Sequence, residues 1–405
     1  MTRTATCQVC GGLVEEFLDL GRQPISQRFR EPSDTSPEVF FRLAAGQCGT
    51  CAMVQLTEAV PREEIFHDDY PFASSQWPVM ARYFAGVADE LLRTGPDPFV
   101  VEIGCNDGVM LGTVARAGVR HLGFEPSGGV AVKAREAGVR VRQEFFEERT
   151  AGRVAAEEGP ADVIYSANVI SHIPYLASIL RGVDALLAPG GVFVFEDVYL
   201  GDIVANTAFD QIFDEHFYLF SAHSVGAAAS RFGLELVDVK RVPFRGGEMR
   251  YTLARAGARR PSGAVAELLA EERSRELTAE PTLRAFRDRT MRICDELVDG
   301  LTRLRRGGTP AVGYGATVRS ATLLNFCAIG PDLVPFICDA TPSKVGRLTP
   351  GTHIPVRPLD EFSRPYPSHA LLFAWEHGDE IVARERDFRR AGGRWLRYVP
   401  EVHLS

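Results

Sequence analysis

The sequence lacks the segments that carry a protein into or across a membrane. No apolar run approaches the roughly 20 residues that a membrane-spanning helix requires, and Met1–Thr6 leads into a cysteine pair instead of an apolar secretory signal. Positive charge is also scarce, since 45 Lys and Arg stand against 53 Asp and Glu, a formal net charge of -8. An acidic chain is a poor partner for a nucleic-acid backbone or an anionic membrane. We therefore expect a soluble, cytoplasmic monomer with no nucleic-acid and no membrane partner.

Disulfide scaffolds and repeat architectures are not expected either. The eight cysteines occur in a chain without an export signal, which predicts a reducing compartment. The sequence shows no short-period repeat and no low-complexity tract. What remains is an ordinary globular composition, 45% hydrophobic over 405 residues, which is enough for two or three domains with buried cores.

The pattern of apolar segments divides the chain into three regions. Residues 1–75 are rich in turns and paired cysteines and need a cross-link or a bound metal ion to fold. In residues 76–257 short apolar strands alternate with helical stretches, and residues 258–405 open with a charged helical stretch before repeating this alternation. Such alternation predicts α/β domains with doubly wound, largely parallel sheets. We predict strands at Phe99–Ile103, His121–Phe124, Val139–Val141, Ala161–Tyr165, Val192–Phe195, Leu234–Val237, Arg250–Leu253, Ala311–Ala316, Val334–Asp339 and Ala370–Ala374.

Two Cys-x-x-Cys pairs in the first region predict a metal site. Each such turn can place two thiolates on one ion, and two turns complete a closed, structural zinc site of four thiolates. The ligands are Cys7, Cys10, Cys48 and Cys51. Unrelated buried or redox-active cysteines are the alternative, and a nucleic-acid-binding zinc ribbon is disfavoured by the acidic chain.

The first strand of the middle region ends in the acidic, glycine-rich turn 102–108. Ligands of open α/β sheets bind at the carboxyl ends of the strands, where this turn lies. Bare helix N–H groups suit a pyrophosphate, whereas an acidic turn suits the sulfonium and ammonium groups of S-adenosylmethionine (SAM). NAD would require a Gly-x-Gly-x-x-Gly turn, which is absent here. We predict that SAM is bound by Glu102, Gly104, Asn106, Asp107 and Gly108 of the turn, with Glu125 on the ribose, Glu144 and Phe145 around the adenine, and Asn168 nearby.

Two later segments hold the candidates for chemistry. His172, after the fourth strand, is predicted to lie on the ligand edge, although a surface histidine is the alternative. In the segment Phe209–Ser221, Glu215 and His216 lie among aromatic residues. This pattern is typical either of a general base whose pKa is adjusted toward neutral pH or of a half-buried amphipathic element. Tyr70 lies at the end of the cysteine-rich region. Its side chain either reaches the cleft between the domains or serves only as a packing residue.

Taken together, these segments resemble the TDP-ketosugar 3-C-methyltransferases of antibiotic deoxysugar biosynthesis. The resemblance covers almost the whole chain and includes Gly246–Arg250, Gly313–Ala316 and Leu348–Pro355, which generic methyltransferases lack. It implies three domains: zinc-binding (1–75), SAM-binding with a Rossmann-like sheet (76–257), and a second Rossmann-like domain for the nucleotide sugar (258–405).

The resemblance also implies the substrate and the roles of single residues. The substrate would be a TDP-linked 3-amino-2,3,6-trideoxy-4-ketohexose, held partly by the Gly313 turn and Asp339, with Arg250 and Lys344 as phosphate partners. His216 would be the base assisted by Glu215, and His172 and Tyr70 would orient the sugar or stabilise the enolate. At position 213, where the family often has a tyrosine, this chain has Phe213, which cannot donate a proton or a hydrogen bond. Either another group is the donor, or the chain is a Tyr-to-Phe variant. An O- or N-methyltransferase and a non-enzymatic zinc scaffold are the alternative functions.

Overall fold

The computed structural model describes residues 3–65, 73–76, 78–95, 97–242 and 246–405. Within them the strands form three sheets that follow one another along the chain. One continuous cluster of buried apolar side chains joins the three, and includes Leu43, Phe193 and Leu371. The three regions are therefore packed on each other and are not independent units on flexible linkers.

The N-terminal sheet is antiparallel and has the order β1-β2-β3-β4-β10. Four of its strands come from the cysteine-rich region: β1 Thr4–Thr6, β2 Leu13–Pro24, β3 Phe40–Cys48 and β4 Val54–Leu56. The fifth, β10 Tyr218–Leu219, comes from the middle region and pairs with β4. The sequence analysis did not predict this exchange, because a two-residue strand has no periodicity to detect.

The middle sheet has seven strands in the order β11-β12-β9-β8-β5-β6-β7. Its strands are β5 Val100–Ile103, β6 His121–Phe124, β7 Val141–Arg142, β8 Ala161–Ala167, β9 Leu187–Val198, β11 Leu234–Val242 and β12 Glu248–Arg255. Strands β5 to β9 are parallel, and β12 is inserted antiparallel beside β9. The strand order reverses between β5 and β8, which makes their carboxyl ends the expected ligand site.

The C-terminal sheet has the order β15-β14-β13-β16-β17-β18 and is parallel except for its last strand. Its strands are β13 Val312–Tyr314, β14 Ile337–Asp339, β15 Val356–Pro358, β16 His369–Leu372, β17 Arg394–Arg397 and β18 His403–Leu404. Two doubly wound sheets behind a small antiparallel one confirm the predicted fold class.

The helices cover both faces of the two larger sheets. They are α1 Arg62–Ile65, α2 Pro78–Leu91, α3 Leu111–Arg116, α4 Gly128–Glu136, α5 Glu148–Glu158, α6 Leu176–Leu186, α7 Leu200–Asn206, α8 Ala222–Ser230, α9 Gly263–Ser274, α10 Glu280–Arg306, α11 Val318–Phe326, α12 Gly378–Arg384 and α13 Arg386–Arg390. The predicted helical stretch from Ala264 to Arg306 is broken into α9 and α10, because Glu276 has a positive φ and Pro281 starts a new helix. In the described part of the chain, no helix combines the length and apolar character needed to span a membrane.

Candidate functional site

The four paired cysteines converge at one end of the N-terminal sheet. Their sulfur atoms all lie within 4.8 Å of one another, with Sγ–Sγ distances of 3.6 Å for Cys7 and Cys51 and 3.4 Å for Cys10 and Cys48. Four thiolates around zinc at about 2.3 Å are separated by roughly 3.8 Å, and a disulfide would need about 2 Å. The four sulfur atoms therefore fit a tetrahedral zinc ion and are not disulfides.

Both cysteine pairs form a turn that is closed by the same kind of backbone hydrogen bond. The backbone N–H of Gly11 donates to the Cys7 carbonyl, and that of Ala52 donates to the Cys48 carbonyl, both at 2.9 Å. N–H groups two residues after Cys10 and Cys48 point at their sulfurs, each at 3.4 Å. Such donors stabilise the thiolate form that zinc requires.

The turn after β5 is shaped by residues with positive φ and by a close packing contact. Gly104, Asn106 and Gly108 have φ of +72°, +50° and +77°. A Cβ on Gly104 would lie 2.5 Å from Cγ2 of Val169, the residue that precedes the turn Ile170–His172. Gly104 is therefore required by the approach of the post-β8 segment as well as by its backbone conformation.

Glu125 is fixed at the end of β6 by two backbone donors. Its carboxylate accepts from the N–H of Asn106 at 2.9 Å and from that of Ser127 at 2.8 Å. Burial raises the pKa of Glu125. The carboxylate is thereby held beside the glycine-rich turn, where a ribose would meet it.

Two further carboxylates of the turn are buried with an unsatisfied oxygen. Among the described residues, Oε2 of Glu102 and Oδ1 of Asp107 have no hydrogen-bond partner. Burial raises the pKa of Glu102 well above its usual value, and Asp107 and Glu125 add to this effect. Uncompensated acids in one buried turn suit a cationic ligand, which supplies the missing opposite charge. The donor set therefore fits the sulfonium and ammonium groups of SAM.

A segment from the N-terminal region lies directly against this turn. The backbone N–H of Ser74 donates to Oδ1 of Asn106 at 3.0 Å, and that of Ser75 donates to Oδ2 of Asp107 at 2.9 Å. Tyr70, predicted to orient the substrate, belongs to residues 66–72, which lie outside the described part of the chain. The prediction for Tyr70 therefore stays a prediction.

The residues predicted around the adenine lie at the outer side of the turn. Glu144 is half-buried and pairs with Arg153, and its Oε1 lies 3.7 Å from Arg142. The guanidinium of Arg62 stacks between Phe145 and Tyr175, at 4.1 and 4.8 Å from their ring centroids. Beside them is a cavity of about 500 Å³, bounded also by Val60, Glu147 and Ser178. Asn168, with φ of +53°, directly follows β8, and its N–H donates to the Glu196 carbonyl.

Two segments far apart in sequence bring the candidate catalytic residues together. The rings of His172 and His216 are 5.3 Å apart, and Oε2 of Glu215 lies 4.0 Å from Nδ1 of His172. The Phe213 ring packs on His216 with centroids 4.2 Å apart. All four side chains are at least nine-tenths buried. The cluster thus combines two imidazoles, one carboxylate and one apolar ring in a low-dielectric environment.

His216 has one defined tautomer when it is neutral. Its Nδ1 lies 2.7 Å from the backbone carbonyl of Gln211, and a carbonyl only accepts, so Nδ1 carries the proton. Nε2 is then the basic nitrogen. This is the arrangement that a general base requires.

The N-terminal sheet carries the four cysteines and is called the zinc-bearing sheet below. It positions the residues that follow His216. The backbone N–H of Leu56 donates to the Phe217 carbonyl at 2.8 Å, next to the β4–β10 pairing. Ser26 donates through its N–H to Asp214 at 3.1 Å, and burial raises the pKa of Asp214 to about 6. Asp214 was not singled out in the sequence, where one acid among several in this segment gives no distinguishing signal.

The C-terminal domain repeats the Glu125 geometry with Asp339. The Asp339 carboxylate accepts from the N–H of Ala316 and of Thr341, both at 2.6 Å. Nζ of Lys344 donates to the Ala316 carbonyl at 2.8 Å and lies 5.1 Å from the ring centroid of Phe29. Burial lowers the pKa of Lys344, while Asp339 and Glu215 oppose that shift. Lys344 therefore lies at the predicted turn, at a junction of all three regions.

Arg250 does not occupy the predicted position beside a phosphate. Its Nε donates to Glu196 and one terminal nitrogen to Glu90, both at 2.7 Å, and the other donates to the Tyr83 hydroxyl at 3.2 Å. Only 7% of Arg250 is exposed. The guanidinium is already neutralised by two carboxylates, so the structure corrects this expectation.

Three family models together span nearly the whole chain. A zinc binding domain matches residues 7–66, a methyltransferase domain matches residues 79–239, and a C-methyltransferase C-terminal domain matches residues 243–400.

Individual proteins are also similar to this chain. The C-methyltransferase NovU of Streptomyces niveus is 32% identical over 408 residues, which are 98% of this chain and 96% of the relative. The ubiquinone biosynthesis O-methyltransferase of Escherichia coli K12 / DH10B is 29% identical over 100 residues, which are 24% of this chain and 41% of the relative. Among solved structures, the CcbJ methyltransferase from Streptomyces caelestis matches with 18% identity and a TM-score of 0.36 over 45% of this chain and 95% of that chain.

Proposed function

Because the chain belongs to the C-methyltransferase family that includes NovU, and is a SAM-dependent methyltransferase with a zinc-binding domain, we propose that it methylates C3 of a sugar. The substrate is a TDP-linked 3-amino-2,3,6-trideoxy-4-ketohexose of antibiotic deoxysugar biosynthesis. The observation that carries this proposal is the buried His216, whose Nδ1 is committed to the Gln211 carbonyl and whose Nε2 remains basic. A methyl transfer to oxygen or nitrogen has less need of such a base.

The chemistry follows from the acidity of a carbon next to a ketone. The 4-keto group acidifies the hydrogen on C3, and Nε2 of His216 removes that proton. Glu215 lies in the same buried cluster and stabilises the imidazolium that forms. His172 donates toward the keto oxygen, where negative charge develops. SAM, when bound, would supply the electrophilic methyl group for C3, and breaking its S–CH3 bond would leave S-adenosylhomocysteine.

The acidic turn after β5 is the binding site that we propose for SAM. Glu102 and Asp107 offset its positive charge, and Glu125 accepts from the ribose hydroxyls, oriented by Asn106 and Ser127. Gly104, Gly108 and Asn168 shape the backbone around it, and Phe145 packs on the adenine with Glu144 near its amino group. Holding the methyl in line with C3 supplies much of the rate acceleration.

The two other regions complete the site. We assign the domains to residues 1–75, 76–257 and 258–405, with the nucleotide part of the substrate on the Gly313 turn and Asp339. A nucleotide sugar of this kind is a cytoplasmic metabolite, which agrees with the predicted compartment.

The experiment is methyl transfer followed by NMR. The protein is incubated with 13C-methyl SAM and the TDP-linked 3-amino-4-ketohexose, and the product is examined by 13C NMR. We expect label on C3, and we expect His216→Gln to reduce turnover by about 10²-fold or more while SAM affinity measured by calorimetry is unchanged.

The matched control is His223→Gln, because His223 is an exposed histidine at the start of α8. It should keep full activity. Label on an oxygen or a nitrogen would establish the alternative methyltransferase, and full activity of His216→Gln would remove the proposed base. Absence of SAM binding would leave only the zinc scaffold.

A further inference from the structure

The segment that carries His216 is held by the C-terminal domain. It begins with the short helical turn Phe209–Gln211, and the Gln211 carbonyl accepts from Nδ1 of His216. Asp210, the residue before Gln211, is completely buried. A carboxylate in that position is costly unless donors compensate it.

Both donors to Asp210 come from the far end of the sequence. Its Oδ2 accepts from the indole Nε1 of Trp375 at 2.8 Å and from the hydroxyl of Tyr398 at 2.7 Å. Burial raises the pKa of Asp210, and Arg319, Tyr398 and Trp375 oppose that shift. The carboxylate is thus fixed in direction by two rigid aromatic side chains.

Trp375 also lies close to α11, the helix that follows the glycine-rich turn of the C-terminal domain. The Arg319 guanidinium lies 5.5 Å from the Trp375 ring centroid and pairs with Glu376. Arg319 is in the first turn of α11, directly after Gly315–Thr317. From α11 the Thr322 hydroxyl also donates to the Ile212 carbonyl at 3.2 Å, inside the segment that carries His216.

The packing around Trp375 leaves little freedom to this connection. A Cβ placed on Gly246 would lie 2.7 Å from the Trp375 ring and 3.4 Å from Nε2 of Gln211. Trp375 and Gln211 therefore both pack around Gly246, and little space is left for a shift of the indole.

We infer that Trp375 and Tyr398 are positioning residues for methyl transfer: they hold Asp210 so that the Gln211 carbonyl fixes the tautomer of His216. The catalytic alignment of the middle domain thereby depends on the C-terminal domain, which also contains the turn proposed for the nucleotide. This inference rests on the proposed role of His216 as the base, but the tautomer itself can be measured without any substrate.

The test uses the full-length protein labelled with 15N-histidine. The variants Trp375→Phe, Tyr398→Phe and their combination each remove a donor and keep an aromatic ring. NMR at about pH 8, where an ordinary imidazole is neutral, reports which ring nitrogen of each histidine carries the proton, and His216→Gln assigns the His216 signals. We expect Nδ1-protonated His216 in the parent and a mixture of tautomers in both single variants.

Kinetics with the TDP-linked ketosugar give the second readout. We expect kcat of the double variant to fall by about tenfold to a hundredfold, with the KM for SAM within about twofold of the parent. The control is Tyr199→Phe, which removes a buried tyrosine donor from a different buried carboxylate, Glu272 (3.1 Å). It should leave the His216 spectrum unchanged.

Either of two results overturns the inference. One is an unchanged His216 tautomer in variants that melt as cooperatively as Tyr199→Phe, and the other is the same spectral change in Tyr199→Phe itself. If the parent shows no methyl transfer to the ketosugar, the proposed function fails, and the NMR comparison still decides whether these residues orient His216.

Discussion

At the residue scale, the proposed mechanism gives the two imidazoles and Glu215 different roles, with His216 as the base and the others supporting it. Nδ1 of His216 is committed to a carbonyl, while His172 faces Glu215 at 4.0 Å. Identical side chains thus receive different roles from their hydrogen-bond partners. Phe213 is the one member that contributes neither a donor nor a charge.

Replacement of Phe213 by tyrosine should raise turnover. Its ring already packs on His216 at 4.2 Å, so a hydroxyl on it adds a donor beside the reacting atoms in a low-dielectric site. We expect kcat to rise severalfold, in the range of about 1 kcal/mol of transition-state stabilisation. Steady-state kinetics with the ketosugar measure it.

Phe217→Tyr is the matched control for this change. Phe217 is equally buried in the same segment but packs on Tyr218, so its hydroxyl should bring no gain. Unchanged or lower activity of Phe213→Tyr would count against a catalytic role for position 213.

At the scale of elements, the turn after β5 is defined by its contact with the segment after β8. Gly104 lies against Val169, and the N–H of His172 donates to the Val169 carbonyl at 3.0 Å. One tight contact therefore joins the turn that we propose for SAM to the segment that carries His172. It also makes the two elements sensitive to the same substitution.

Gly104→Ala should weaken SAM binding by tenfold or more. The new Cβ would lie 2.5 Å from Val169, and overpacking of this kind costs about 1–3 kcal/mol beyond the strain of a positive φ. Calorimetry of SAM binding measures the effect.

Gly118→Ala separates the two contributions. Gly118 has the same φ of +72° and no atom within 4 Å of its added Cβ, so it carries the backbone strain alone. Equal SAM affinity in the two variants would show that the contact between these elements is unimportant.

At the scale of the whole molecule, the N-terminal sheet that carries the four cysteines includes a strand from the segment that carries His216. Strand β10, two residues after His216, pairs with β4, three residues after Cys51. The metal that closes the cysteine turns thus stabilises the sheet on which the base-bearing segment ends. Under the proposed mechanism, a structural zinc ion supports catalysis without touching the substrate.

Loss of zinc should therefore abolish turnover more readily than SAM binding. We expect Cys48→Ser to lose the metal and at least about tenfold in kcat, since the sheet loses its folding energy, while SAM affinity changes by less than about threefold because its turn belongs to the middle sheet. Elemental analysis, kinetics and calorimetry measure the three quantities. Cys294→Ser, a half-buried cysteine of α10, is the control, and normal turnover of zinc-free protein would refute this coupling.

The sequence by itself determined the features whose signals are local. The spacing of the cysteines predicted the ligand set, a short strand-like segment predicted β6 at His121–Phe124, and the acidic, glycine-rich turn predicted a cationic ligand. Each of these depends on neighbours within a few residues, where side-chain type and backbone conformation are directly linked.

Only the tertiary structure decided how distant segments meet. It paired β10 with the zinc-bearing sheet, placed Trp375 and Tyr398 on Asp210, and buried Arg250 between Glu196 and Glu90 instead of beside a phosphate. A lone tryptophan or arginine carries no mark of its partner, because the energy of such contacts depends on packing across hundreds of residues and not on local pattern.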